Sequence, residues 1–262
     1  MTTDPRSAPQ IDTAKAHPAR VYDWLLGGKD NYPADEAVGE RLPPEARDAA
    51  RQNRQFMHRA ATWLSARGVD QFLDIGTGIP TAPNLHQIVQ RTAPAAKVVY
   101  ADNDPIVLRH AEALLVSHPD GVTDYIQADV REPEAIVEHA RHVLDFDRPI
   151  ALSLIALMHF VPDEQDAHGI VRDLVATMPS GSHLVLSHAA SDLYPELAAR
   201  VTAEYAKGGI KLGFRTRPEV ARFFDGLDLV PPGLVTAPEW HPPTPDETPE
   251  DSGIYAAVAR IP

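Results

Sequence analysis

Residues 72–81 read Phe72-Leu73-Asp74-Ile75-Gly76-Thr77-Gly78-Ile79-Pro80-Thr81. A short apolar run enters a turn with two glycines, and a helix-like segment follows. That is the order of a strand, a glycine-rich loop and a helix N-terminus. Glycine has no Cβ, so such a loop brings backbone N–H groups close to a ligand. The helix behind it favours negative charge at its start. A dinucleotide fingerprint requires a third glycine three residues after the second, and Thr81 stands there. A P-loop ends in Gly-Lys-Ser/Thr, which this stretch lacks. What remains is Asp-x-Gly-x-Gly, with Asp74 inside the strand. A tight strand-to-helix turn that binds nothing has the same pattern, so the rest of the chain must decide.

The 262 residues suffice for a full core, either one large domain or one domain with extensions. No apolar run of about 18 residues predicts a membrane span. Met1 to Gln10 lacks the apolar core of a signal peptide. With no cysteine, disulfides, thiolate zinc sites and a thiol nucleophile are excluded. A cytoplasmic protein is the resulting expectation. The net charge of −13 repels phosphate backbones, so neither nucleic acid nor membrane is an expected partner.

Residues 1–16 lack periodicity and read as a mobile arm. Residues 17–68 read as a helical extension: a helix from Pro18 to Gly27-Gly28, a second from Ala34 to Leu42 and a third ending at Arg67. From 69 to 262 strand and helix alternate. Strands are predicted at Gln71–Ile75, Lys97–Ala101, Val122–Ala128, Pro149–Ile155 and His183–Ser187, with a helix from Asp163 to Met178 between the last two. The near-continuous apolar run Ile150–Ile155 suits a strand buried on both faces. Right-handed crossovers then give an α/β fold with a doubly wound sheet. After the fifth strand, helices are expected at Asp192–Ala206 and Arg217–Phe224, one bent strand over residues 227–236, a proline-rich loop over 240–249 and a last strand at Tyr255–Arg260.

Ligands of such sheets sit at the carboxyl ends of the central strands, so the polar residues there are the candidates. Asp102 ends the second strand, and a carboxylate there can accept both hydroxyls of a ribose. Asn103 adjoins it. Asp104 caps the next helix, with Pro105 at its first position. Asp129 ends the third strand, where it can take the exocyclic amine of adenine while the Val130 N–H donates to a ring nitrogen. Asp74, Asp102 and Asp129 on three consecutive strands form a joint signal stronger than any one of them. His159, after the fourth strand, is either a general base or a packed loop histidine. His188 is a weaker candidate, and it lies on the strand face opposite His183. Tyr22 to Tyr32 reads as a lid, with Tyr22 and Asn31 facing a cofactor, or as plain helix capping. Asn53 and Arg54 can reach a carboxylate. No spacing suggests a metal site.

Residues 72–163 resemble the core of class I S-adenosylmethionine-dependent methyltransferases. More narrowly, the whole chain resembles an actinobacterial methyltransferase family of undetermined substrate. The segments that carry this likeness are residues 19–32, from Ala19 to Tyr32; Asn53-Arg54; residues 71–81; and Phe223-Phe224-Asp225-Gly226-Leu227. Pro80 departs from the wider class, where glycine is common. The resemblance implies a seven-stranded, mostly parallel sheet with an antiparallel last strand. It implies S-adenosylmethionine as methyl donor, held by Tyr22, Asn31, Asn53, Arg54, Asp74, Gly76, Thr77, Gly78, Asp102, Asn103, Asp129, Val130 and Ile155. It further implies an O or N atom of a small molecule as acceptor, with His159 catalytic. A non-catalytic S-adenosylmethionine sensor and a nicotinamide-dependent oxidoreductase are the alternatives.

Overall fold

The computed structural model describes residues 12–114, 116–243 and 249–262. Most of the expected arm, residues 1–11, and residues 244–248 of the proline-rich loop lie outside the described residues. The parallel strands are β1 (Gln71–Ile75), β2 (Lys97–Asp102), β3 (Val122–Gln127), β4 (Ala151–Ile155) and β5 (His183–Ala189). The short strands β6 (Asp228–Leu229) and β7 (Val235–Thr236) precede β8 (Ile254–Arg260) and pair antiparallel with it. The strands lie in the order β3-β2-β1-β4-β5-β8-β6, with β7 beside β8. β8 runs antiparallel to β5. The order reverses between β1 and β4, and a crevice opens there above the strand ends.

Alternation along the strands supplies two cores. Leu73, Ile75, Leu152 and Leu154 face one side, where they meet helices α6 (Pro133–Ala140) and α7 (Ala167–Ala176). Phe72, Val98 and Tyr100 face the other, under α3 (Glu45–Ser65) and α4 (Leu85–Thr92). In α3 the buried residues Phe56, Met57, Ala60, Ala61 and Leu64 recur at helical spacing, as an amphipathic helix against a sheet requires.

Two expectations are corrected. Residues 227–236 are not one bent strand. Pro231 and Pro232 have no N–H to donate, and Gly233, at φ +89°, turns the chain. Leu229 therefore pairs with Ala259 while Thr236 pairs with Tyr255, four residues nearer the start of β8. The helix expected from Asp163 is also broken. A single 3₁₀ turn spans Asp163–Gln165, and α7 starts only after Asp166, whose side chain accepts the Gly169 N–H.

The N-terminal extension folds as α1 (Pro18–Leu25), α2 (Pro33–Gly39) and α3. Pro18 and Pro33 open their helices where no N–H is needed. The turn between α1 and α2 closes on Asp23, whose carboxylate accepts the Asp30 N–H and the Asn31 side-chain amide. A Cβ on Gly28 would lie 2.0 Å from that carboxylate. Arg20, only 4% exposed, donates its Nε to Asp104 at 2.8 Å and brings a second nitrogen within 3.6 Å of the fully buried Asp35. Asp35 in turn accepts the backbone N–H groups of His17 and Tyr32. One guanidinium thus joins α1 and α2 to the start of α5 (Pro105–Leu114).

Asp104 is more than a helix cap. Its Oδ1 accepts the Ile106 N–H and its Oδ2 holds Arg20. Asp104→Ala would leave the buried Arg20 with the longer contact to Asp35 as its remaining carboxylate and the Asp12 and Lys15 carbonyls as weak acceptors. The expected cost is about 3–5 kcal/mol, as for other buried pairs broken at one partner, against about 0.5–2 kcal/mol for a lost cap alone. Urea denaturation of the variant decides between the two.

Candidate active site

The glycine loop is tied to its neighbours by backbone and carboxylate bonds. The Gly76 N–H donates to the Ala101 carbonyl, and the Gly78 N–H donates to Asp102 Oδ2 at 2.8 Å. Both glycines have positive φ, +75° and +69°, a region open to glycine at no steric cost. A Cβ on Gly76 would press on Leu157 at 2.7 Å, while one on Gly78 would meet nothing within 4 Å. Asp102 Oδ1 accepts the Asp104 N–H at 2.9 Å. Asp102 is therefore buried and bonded at both oxygens, not solvated as a ribose-binding group awaiting its ligand would be. Burial pushes its carboxyl up, and the two N–H bonds oppose that shift.

These strand ends line a cavity of about 410 Å³. Asp74, Gly76, Thr77 and Gly78 come from β1 and its loop, Asp102 and Asn103 from β2, Asp129 and Val130 from beyond β3, and Ile155 from β4. Tyr22, Asn53 and Arg54 close it from the helical extension. So twelve of the thirteen residues predicted to hold the donor converge on one cavity. Asn31 is the exception, since its amide donates to Asp23 and to the Gly28 carbonyl. Asp74 accepts the Ser153 hydroxyl at 2.6 Å, and burial pushes its carboxyl up to about 6. At Asp129 partial burial is outweighed by the Arg131 side chain and N–H and by the Asn103 amide, which hold its carboxyl at about 2. Arg54 donates one nitrogen to the Thr81 and Pro83 carbonyls, which leaves the remaining N–H groups without a protein partner among the described residues.

A second cavity of about 520 Å³ lies beside the first, and Tyr22, Asn53, Ala156 and Phe160 line both. A hydrogen-bond chain runs through this shared wall. The Ala156 N–H donates to Ser187 Oγ, the Ser187 hydroxyl to Asn53 Oδ1, the Asn53 amide to the Tyr22 hydroxyl, and that hydroxyl to the Ala50 carbonyl. Each side chain donates one bond and accepts one. Ala156 sits at φ +53°, a strained conformation for a residue with a Cβ. Nothing in the sequence marks Ala156 or Ser187. Ser153 is the one polar residue in the β4 run and carries that signal.

His159 lines the second cavity and not the first. Burial and the charge of Arg215 push its imidazole down to about 3. An imidazole so hard to protonate is a weak base near neutral pH, and its Nδ1 already accepts the Ala189 N–H at 3.4 Å; both weigh against the expected catalytic base. Arg215, 2% exposed, donates to the Met158 and Val161 carbonyls, to Asp163 and to His188 Nε2. It clamps the segment after β4 onto β5, with His159 and His188 packed beside it. His188 stacks on Phe223, while His183 packs against Trp63 on the opposite sheet face.

The strand order and the strand-end cavity define a class I S-adenosylmethionine-dependent methyltransferase. The S-adenosyl methyltransferase family profile matches residues 4–262, and the chain belongs to that family. It is similar to a DUF574 family protein of Streptomyces avermitilis, at 47% identity and a TM-score of 0.92, over 97% of this chain and 100% of the other. A Thermobifida fusca protein provisionally assigned as a methyltransferase is 34% identical, with a TM-score of 0.84 over 98% and 99% of the two chains. The fold alone is shared with a Synechocystis magnesium protoporphyrin IX methyltransferase, at 13% identity and a TM-score of 0.55 over 92% and 93%. Among curated proteins none matches the chain. No helix among the described residues is long and apolar enough to cross a membrane.

The buried His159 makes a pH prediction. The unfolded chain takes up a proton at this position near pH 6.5, and the native protein does not until about pH 3. Stability present above pH 6.5 is therefore lost as the pH falls from there toward 3. Between pH 7.5 and 5 the loss is about 2 kcal/mol. Asp74 acts in the opposite sense, since its raised carboxyl relieves a burial cost as the pH falls through 6. His159→Phe isolates the histidine: it should lose about 2 kcal/mol less than the unsubstituted protein over the same interval. Equal losses in denaturant titrations would mean that His159 titrates freely in the native state.

Proposed function

We propose that the first cavity holds S-adenosylmethionine, that the second admits the acceptor, and that the methyl group passes to an O or N atom of a small molecule. The observation that carries this reading is the wall common to both cavities, formed by Tyr22, Asn53, Ala156 and Phe160. A donor and an acceptor on its two sides lie next to each other, and methyl transfer depends mainly on such alignment. When bound, the donor would supply an electrophilic methyl group with its sulfonium sulfur as the leaving group, while Tyr22 and Asn53 in the shared wall would orient the acceptor atom, whose proton would pass to water. An O or N atom brings its own lone pair, so the reading needs no strong base, in keeping with the neutral His159.

The residues of the first cavity fit such a donor. Each oxygen of Asp102 holds one N–H, and a carboxylate offers about four acceptor sites, so two remain for the hydroxyls of a ribose. The open space at Gly78 lets a ligand approach the backbone. Asn103, Asp129 and Val130 form the side suited to adenine, and the free N–H groups of Arg54 suit a carboxylate. Residues 17–68 then act as the lid of the donor site, with His17, Pro18 and Tyr22 in its wall. The second cavity favours an enzyme over a sensor, which would need no acceptor chamber.

Calorimetry with S-adenosylmethionine, S-adenosylhomocysteine and NAD tests the donor assignment. Both sulfur compounds should bind, and at about a hundredfold above Kd each should add roughly 2.7 kcal/mol of stability. NAD should do neither. Asp102→Ala should weaken donor binding by about ten- to several-hundredfold. It should also destabilise the free protein by about 1–3 kcal/mol, because the Gly78 and Asp104 N–H groups lose their acceptor. Binding of NAD with no response to either sulfur compound overturns the reading.

A further inference from the structure

The second cavity has a chemical character of its own. Among the described residues no lysine or arginine lines it, whereas three carboxylates do: Glu45 and Asp48 on α3, and Asp251 before β8. The first cavity, by contrast, carries Arg54, Arg131 and Lys211 alongside Asp74, Asp102 and Asp129. Between the carboxylates and the shared wall, the lining is apolar, with Leu197, Val201, Leu212 and Phe214 among it. The two ends differ in exposure. Glu45, Asp48 and Asp251 are all exposed, Asp48 also pairing with Arg51, while Asn53, at the inner end, is 2% exposed. Gln52 stands in the wall near the acidic end, itself 4% exposed. Its amide nitrogen donates to Glu250 and to the Asp251 carbonyl. Its Oε1 is buried with no partner among the described residues, an acceptor in search of a donor.

An acceptor molecule carrying phosphate or carboxylate would leave its anion beside Glu45, Asp251 and the Arg51-paired Asp48, with no cation among the described lining residues to meet it. A protonated amine meets the opposite situation. We infer that the second cavity selects a cationic amphiphile: an aromatic or other apolar body bearing a protonated amine, with the ammonium among Glu45, Asp48 and Asp251. The methyl-accepting atom lies at the far end, against Tyr22 and Asn53. That last assignment rests on the donor reading given above; the charge preference of the chamber does not.

The test uses three ligands of one shape: 2-(1-naphthyl)ethylamine, 2-(1-naphthyl)ethanol and 3-(1-naphthyl)propionate. Each is titrated calorimetrically into the full chain, with and without S-adenosylhomocysteine. The amine should bind about tenfold or more tighter than the alcohol, as several partly exposed ion pairs together provide, and the carboxylate weakest. The preference should shrink as salt rises, because exposed charges are screened. In Glu45→Gln/Asp48→Asn/Asp251→Asn the amine should fall to the level of the alcohol, with alcohol and S-adenosylhomocysteine binding unchanged. Ala198→Trp, which fills the chamber, should abolish binding of all three, and retained S-adenosylhomocysteine binding would show that the variant is folded. A carboxylate that binds as well as the amine, a series in which no member binds, or amine binding indifferent to Ala198→Trp and Ala49→Trp overturns the inference. If the amine preference holds but S-adenosylhomocysteine does not bind, the donor reading falls and the chamber's selectivity stands; the converse result removes the selectivity alone.

Discussion

Taking a guanidinium out of water costs several kcal/mol unless its charge is met at close range. Asp104 meets that of Arg20 at 2.8 Å, across 84 residues of chain. This contact sets where α1 and α2 stand relative to the sheet, and with them His17, Pro18 and Tyr22 in the wall of the first cavity. Asp104 makes it from the turn in which its own N–H is held by Asp102, and Asp102 holds the glycine loop through the Gly78 N–H. One continuous set of charge-assisted bonds therefore runs from the extension through β2 to the loop after β1. Movement of any part is felt at the cavity, because the carboxylate at its base is also the joint of the set.

Asp102 and Asp104 show how far a pattern reading reaches. Their position after an apolar strand and before a proline-led helix was enough to assign one to the cavity and the other to the cap. It was not enough to show Arg20, because a contact 84 residues away leaves no periodic trace. The parallel strands were legible because burial on both faces writes itself as an apolar run, as in Ile150–Ile155. The tail was not. A strand of two residues such as β6 has no period to detect, and Pro231-Pro232 reads equally as an interruption or an end. In the site, glycine spacing and strand-end acids were visible. Asn31 misled because a polar residue that completes a turn looks in sequence like one that meets a ligand. His159 misled in the same way: its place after β4 is visible, but neither the burial that keeps it neutral nor the Arg215 charge that adds to it, 56 positions later, leaves a local trace.

Arg215 and Arg20 are both buried, and each solves a different problem. Arg20 meets two carboxylates and fixes a helix. Arg215 meets mainly carbonyl oxygens at the end of β4, with Asp163 as its one carboxylate partner. Burial first, and the positive charge of Arg215 after it, hold His159 and His188 in their neutral forms. The neutral His188 can then accept from Arg215 through Nε2 while its Nδ1–H donates to the Ala189 carbonyl. The histidines are thus part of the packing of the β4–β5 junction, and their titration is linked to stability before it is linked to chemistry.

That junction also carries the wall between the two cavities. Ala156 leaves β4 in a left-handed conformation, and the Ser187 hydroxyl accepts its N–H, so the strained turn is secured from the neighbouring strand. The same hydroxyl donates to Asn53, which passes the chain of bonds to Tyr22 on the extension. Sheet and extension therefore meet at the shared wall through polar contacts between fixed partners, where a purely apolar contact would let them slide. Methyl transfer loses rate steeply with small misplacements of the reacting atoms, and two chambers built from different parts of the chain are prone to such misplacement. The Ser187–Asn53–Tyr22 chain holds both sides of the wall in one register, which is the structural condition for aligning two ligands across it.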